Sequence, residues 1–184
     1  MVKPSSTVAS FSPEFPLLGF LALHPAHGYD LHHRLALDLG EVWHVSLSQT
    51  YNVLNRLEEQ GFITGSLEEQ QKLPARRRFT LTPAGRERFE AWLYAPSRPT
   101  VRATRVEFTS RLYFACSIDI MLAHRLIDDQ IAETSAGLAR LQQRLVHIPT
   151  EQTFNHLGIE LRIRQLTFIR EWLESCHTVL GEIS

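Results

Sequence analysis

The chain has 184 residues and a mass of 21.1 kDa, 43% of them hydrophobic and 21% charged, a globular composition that excludes a disordered tail and a membrane-embedded protein. Its 19 Lys and Arg face 20 Asp and Glu, a formal net charge of −1. No global positive field therefore draws it to phosphate, and any nucleic-acid contact must come from local arrangement.

Residues 1–12 are Ser-rich and aperiodic and read as a flexible arm. From Pro13 to Leu23 the sequence PEFPLLGFLAL is apolar nearly all round, with prolines at its start where a helix tolerates them. It is too short, and too interrupted by Glu14 and Pro16, for a signal peptide, so the expected compartment is cytoplasmic, with no membrane partner. His24-Pro25 stops it, and residues 26–39 predict a second helix with Tyr29, Leu31, Leu35 and Leu39 at helical spacing, ended by Gly40. Residues 46–60 predict a third, opened by a Ser46-x-x-Gln49 capping box and ended by Gly61. The period then changes. Residues 62–69 (FITGSLEE) and 76–82 (RRRFTLT) read as short strands joined by the polar loop QQKLPA. Thr82-Pro83 reads as an N-cap and first-turn proline opening a helix over 83–95, with Phe89, Trp92 and Leu93 on one side. Three helices, a hairpin and a helix in that order predict a winged helix-turn-helix over residues 13–96.

The Pro-rich stretch APSRPT (95–100) marks the domain boundary. Residues 97–184 read as wholly helical, with no turn signal between Val101 and His147. Ile127, Ile131, Thr134, Leu138, Leu141, Leu145 and Ile148 form a heptad-like seam with one polar position. After Pro149-Thr150 a last helix carries two stripes. One is Phe154, Leu157, Leu161, Phe168, Trp172 and Val179; the other is Ile159, Ile163, Leu166, Leu173 and Leu180. One stripe can cover the partner helix, and the other needs a further surface, which a second copy of the chain would supply. The expected fold class is thus mainly α (α+β), a winged helix followed by a helical dimerisation domain. Ile127, Ile131, Leu138, Leu141, Leu145, Phe168 and Trp172 are the expected dimer contacts. A monomeric helical domain folded back on helix 83–95 is the alternative.

In the third helix Leu54 and Leu57 face inward, which leaves Ser48, Gln49, Asn52, Asn55 and Arg56 outward. These are the side chains that read base edges, and the helix N-terminus at Ser46 suits a phosphate. Tyr51 can place its ring in the core and its hydroxyl on phosphate. Lys72, Arg76, Arg77 and Arg78 lie on the hairpin with no acid between Gln70 and Glu87, a local basic patch able to meet the DNA backbone. His27-Gly28-Tyr29 reads as a structural turn, and Trp43 and His44 as packing and turn residues. The two cysteines, Cys116 and Cys176, read as free core thiols. The nine histidines offer only isolated pairs, so no metal, cofactor or catalytic residue is expected.

Three blocks in order carry a resemblance. LLGFLALHPAHGYDL, VSLSQTYNVLNRLEEQGFI and RRRFTLTPAGRERFEAWL together resemble the PadR family of transcriptional regulators, and VRATRVEFTSRLYFA with the two long helices looks like its larger subgroup. Many members open the recognition helix with Ser-Pro-Gly-Thr where this chain has Ser46-Leu47-Ser48-Gln49, so no operator sequence carries over. The resemblance implies a homodimeric repressor that binds double-stranded DNA at a pseudo-palindromic operator and responds to a small-molecule effector. The effector site is not readable; Trp92, Phe108, Tyr113 and Phe114 are candidates, with core packing as the alternative. A winged-helix protein-interaction or ligand-binding module that does not bind DNA is the competing function.

Overall fold

The apolar run after Pro13 forms the first helix of the computed structural model, α1 (Glu14–Leu23), and every residue from Glu14 to Leu21 is buried. The structure describes residues 12–70 and 73–181, with side chains for all of these but 69, 70 and 73–75. Residues 1–11, most of the predicted arm, and Lys72 lie outside the described residues. The chain divides into two compact units, Met1–Ala95 and Pro96–Ser184.

In the first unit, α1 is surrounded by α2 (Gly28–Leu39), α3 (Leu47–Glu59), α4 (Pro83–Leu93) and the middle strand of a sheet. An all-round apolar helix is stable only in such a central place. Leu17, Leu18 and Phe20 of α1 are buried, as are Leu31, Leu35, Leu54, Leu57, Phe89 and Leu93 of the helices around it, and the Phe15 and Trp92 rings stack at 4.9 Å. Glu14 is the exception in the run, and its burial is made tolerable by two guanidiniums. Arg88 donates to Oε1 at 3.2 and 2.6 Å, and Arg56 to Oε2 at 3.3 Å.

The sheet is antiparallel in the order β1-β3-β2, with β1 at Ala26–His27, β2 at Ile63–Gln70 and β3 at Leu73–Leu81. Two expectations change here. Residues 26 and 27 are not helical but pair with Phe79 and Arg78 of β3. Much of the stretch read as a loop is strand, since Gln70 pairs with Leu73 after a register irregularity beyond Glu68. Tyr29 also departs from the predicted apolar stripe of α2, lying exposed and stacked on His33.

The regular elements of the second unit are all helices among its described residues. A short α5 (Val101–Ala103) passes through a π-helical turn, Thr104–Phe108, into α6 (Thr109–Ile118). The expected uninterrupted helix breaks at Asp119. Its backbone is extended and its carboxylate accepts from the Met121 N–H at 2.9 Å, capping α7 (Ile120–Val146). Helix α8 (Thr153–Gly181) returns along α7. The stretch 95–100 is not a loose linker at its centre, because Ser97 is buried and accepts from Arg111 Nη1 at 2.7 Å.

The heptad-like seam finds its partner within the chain. Ile127, Leu138 and Leu141 are buried with Ile159, Leu166, Ile169 and Leu173, and Ile131, Leu145 and Trp172 pack partly buried against that cluster. Ile127, Leu138 and Leu141 are therefore unavailable as dimer contacts, and Ile131 and Leu145 largely so. A repeat of apolar positions specifies a helical partner but not which chain supplies it. The two stripes of α8 do separate: the one containing Leu166 and Leu173 is buried, while Phe154 is 88% and Phe168 68% exposed, with Leu157, Leu161 and Val179 exposed beside them. Cys116 and Cys176 are free thiols, half-buried. Burial pushes both up from the ordinary thiol value, and the neighbouring Cys116 pushes Cys176 further.

Candidate nucleic-acid interface

Helix α3 starts where its sequence says it should. Ser46 Oγ accepts from the Gln49 N–H at 3.2 Å and Gln49 Oε1 accepts from the Ser46 N–H at 2.8 Å, a reciprocal capping box. Thr50, Val53, Leu54 and Leu57 turn inward, while Ser48, Gln49, Tyr51, Asn52, Asn55 and Arg56 face outward. Ser48, Asn52 and Asn55 make no side-chain hydrogen bond among the described residues, so their amides and hydroxyl are unspent. A cleft of about 400 Å³ beside the row is lined by Trp43, His44, Gln49 and Asn52.

The cap limits two of the predicted DNA contacts. With Oε1 committed to Ser46, Gln49 keeps only its NH2 group, whereas a bidentate grip on adenine requires the amide oxygen as well. Ser46 likewise spends its hydroxyl as an acceptor within the helix. Tyr51 lies with its ring over the turn at Gly28, where an added Cβ would come within 2.6 Å of Cε1. That close approach explains the glycine in His27-Gly28-Tyr29. His27 itself serves the turn, its Nδ1 at 3.2 Å from the Arg77 carbonyl oxygen.

Three of the predicted cations are already paired. Arg56 meets Glu14, Arg77 meets Glu58 at 2.6 Å, and Arg78 meets Glu68 at 3.0 Å. Alternation along β3 puts Arg77 on the side of Phe79 and α3, where its guanidinium lies 5.5 Å from the Phe79 ring. Gly65 leaves the space it crosses, since a Cβ there would sit 2.5 Å from Arg77 Nε. Arg76 is exposed and has no ion pair among the described residues. The wing is therefore less basic than its sequence implies. Glu58, Glu68 and Gly65 are the functional neighbours that sequence reasoning missed; only Glu14, an acid inside an apolar run, signalled that it needed partners.

Among the described residues no group of three or more His, Cys, Asp and Glu could hold a metal ion. No described helix is long and apolar enough to cross a membrane. Of the aromatic candidates for an effector site, Trp92, Phe108 and Phe114 are buried core and Tyr113 is half-buried against Phe114.

Helices α1 to α3, a hairpin wing and the closing helix α4, followed by a helical unit, define a winged helix-turn-helix protein. Residues 17–91 match the model of the "Transcriptional regulator PadR-like family" and residues 104–181 that of "Virulence activator alpha C-term". The chain is 30% identical over 129 residues to the negative transcriptional regulator PadR of Bacillus subtilis (strain 168), covering 70% of each sequence. It therefore belongs to the PadR-like family of transcriptional regulators. Similar solved structures include Bacillus subtilis PadR in complex with operator DNA, at 27% identity and a TM-score of 0.46, covering 93% of this chain and 98% of that one. The Vibrio cholerae virulence activator AphA is similar at 26% identity and a TM-score of 0.39, covering 94% and 98%.

Proposed function

We propose that this chain is a homodimeric, sequence-specific DNA-binding repressor, with residues 13–96 reading DNA and 97–184 pairing the subunits. The observation that carries the DNA reading is the outward row Ser48, Asn52 and Asn55 on α3, uncommitted amides and hydroxyl beside the basic strand of a wing. The name of the Bacillus subtilis relative, a negative transcriptional regulator, supports repression. Two such units on a two-fold axis would address major grooves about 34 Å apart.

Ion pairing within the wing sharpens the expected energetics. A phosphate that takes Arg77 or Arg78 must displace Glu58 or Glu68, so backbone binding is held down and base contacts decide the affinity. Asn52→Ala is expected to erase about 1–3 kcal/mol of discrimination between operator and mutated operator. Arg76→Ala should weaken all duplexes and flatten the salt dependence by about one unit of slope. Glu58→Gln keeps the oxygen that accepts from both the Gly65 N–H at 2.9 Å and Arg77 at 2.6 Å but removes the counter-charge of Arg77, so it should tighten binding to unrelated duplex. Operators come from selection of bound duplexes out of a random pool, and salt-titrated binding then compares the variants. Failure to retain any duplex would leave the interaction-module reading in its place.

For the dimer, the exposed stripe of α8 (Phe154, Leu157, Leu161, Phe168) with the partly exposed Trp172 is the surface to test, since contiguous apolar patches of this kind mark interfaces. Sedimentation at micromolar concentration should show a dimer, and Leu161→Asp with Phe168→Asp a folded monomer. A wild-type monomer would remove the two-fold operator. We further propose that a small-molecule effector sets the output by favouring the subunit arrangement that cannot bind DNA, since equal affinity for both arrangements shifts nothing.

A further inference from the structure

Two histidines 53 residues apart in the sequence meet within the helical unit. His124, one turn into α7, and His177, one turn from the end of α8, place their Nδ1 atoms 2.9 Å apart. The rings are nearly parallel, with 4° between their planes and 5.1 Å between centroids. Nitrogens this close in parallel planes are nearer than stacked faces can come, so the rings meet edge to edge. Two bare lone pairs repel at hydrogen-bond distance, so one of the two nitrogens must carry a proton.

A second contact decides which. His177 Nε2 lies 2.9 Å from Asp128 Oδ1. An ionised carboxylate only accepts, so His177 carries its proton on Nε2 and, while neutral, leaves Nδ1 bare. His124 then supplies the other proton, its Nδ1–H donating to His177 Nδ1. Asp128 follows His124 by one turn, so His177 of α8 is gripped by two groups on one face of α7.

Protons can therefore enter only in a fixed order. The first goes to His124 Nε2, which has no partner among the described residues, and leaves both hydrogen bonds standing. The second can go only to His177 Nδ1, where it faces the His124 N–H head on. The bond between the rings is then lost, and two charged imidazoles are left in contact. Neighbouring groups supply no substitute. Arg125, three residues before Asp128 on α7, is 3.9 Å from Asp119, and Glu174, one turn before His177, is 3.6 Å from Arg170. From α6 the titratable neighbour is Cys116, whose thiol acts on Cys176.

We infer that His124, His177 and Asp128 form an acid-sensitive latch that holds the last turn of α8 on the start of α7. It is closed while the rings share one proton between their Nδ1 atoms and open once both rings are charged. The latch thus contributes above the range in which imidazole ordinarily takes its proton, about pH 5 to 8, and is lost below it. Val179, within the latched turn, belongs to the exposed stripe of α8. Opening would also loosen one end of the proposed dimer face; that consequence, unlike the latch, rests on the reading above.

Imidazole proton–nitrogen NMR of the full chain tests the geometry directly. At about pH 8 it should show Nδ1 protonated in His124, Nε2 protonated in His177, and a scalar coupling between the two Nδ1 nuclei that vanishes at about pH 5. Labelling of Cys176 by a thiol reagent, in a Cys116→Ala background, reports opening of the same turn. His124→Phe fills the space without a proton to give. It should label about three- to tenfold faster than its parent at about pH 8, the scale of one hydrogen bond, and at nearly the parent's rate at about pH 5. Comparing the two proteins at one pH cancels the titration of the thiol itself. Three results would overturn the inference: no coupling at the higher pH, a coupling that persists at the lower, or the same labelling ratio at both. A chain that sediments as a monomer or retains no duplex loses the dimer or DNA reading, while the coupling still decides the latch.

Discussion

Arg111→Ala is expected to lower the unfolding free energy of the helical unit by about 3–5 kcal/mol. Arg111 and Glu107 lie one turn apart at the junction of the π turn and α6 and are 3% and 5% exposed, in direct ion contact. Burial pulls the guanidinium below the ordinary arginine value, and the Glu107 carboxylate opposes that shift. Removing the cation leaves a carboxylate without its counter-charge in a site closed to water, and also frees the buried Ser97 hydroxyl that Arg111 holds at 2.7 Å. The loss is therefore the desolvation of Glu107 and not the net worth of the pair. A double variant, Glu107→Leu with Arg111→Met, removes both charges at similar volume and should recover most of the loss, since apolar replacements of buried ion pairs are often neutral or better. Urea denaturation reads both. If Arg111→Ala stays within about 1 kcal/mol of wild type, as exposed pairs do, the pair is solvated and the burial argument fails.

What could be read in advance, and what could not, follows from the range of each interaction. Ser46 and Gln49, or Thr82 and Pro83, make their contacts within one turn, so sequence spacing specifies the geometry. The all-round apolar run after Pro13 could belong only to a central helix. The two stripes of α8 were legible because they are periodic. The strand at Ala26–His27 was not, because two residues carry no period and their extended form comes from pairing with Phe79 and Arg78. The seam from Ile127 to Leu141 announced a helical partner without naming its chain. The wing cations misled for the same reason. Arg77 is 19 residues from the Glu58 that holds it, and an acid-free stretch of sequence is not an acid-free surface.

Gly85→Ala is expected to destabilise the winged unit by about 3 kcal/mol, the sum of overpacking and of a helix cap pulled out of register. The position does not require glycine for backbone freedom, because it lies within α4 and its φ is not positive. It requires glycine for proximity: a Cβ would stand 2.0 Å from the Phe62 carbonyl oxygen and 2.8 Å from Leu81 Cδ1. That carbonyl cannot simply move aside. It accepts from the Thr82 N–H at 3.0 Å and the Thr82 hydroxyl at 2.9 Å, while the same hydroxyl oxygen accepts from the Gly85 N–H at 3.1 Å. Thr82, Phe62 and Gly85 thus fasten the entry of β2 to the exit of β3 and the start of α4, so a methyl group inserted there loosens the base of the wing. Gly158→Ala is the control, an exposed helical position in α8 with nothing within 4 Å of the added Cβ. There the same change should stabilise by up to about 1 kcal/mol, the difference in helix propensity. Opposite signs for one substitution at two helical sites, read by thermal or urea unfolding, would establish that contact and not propensity fixes residue 85. Equal effects would refute it. A Gly85→Ala protein that remains folded at low temperature should also lose duplex affinity along with its stability, because the hairpin carrying Arg76 to Arg78 is anchored at this carbonyl.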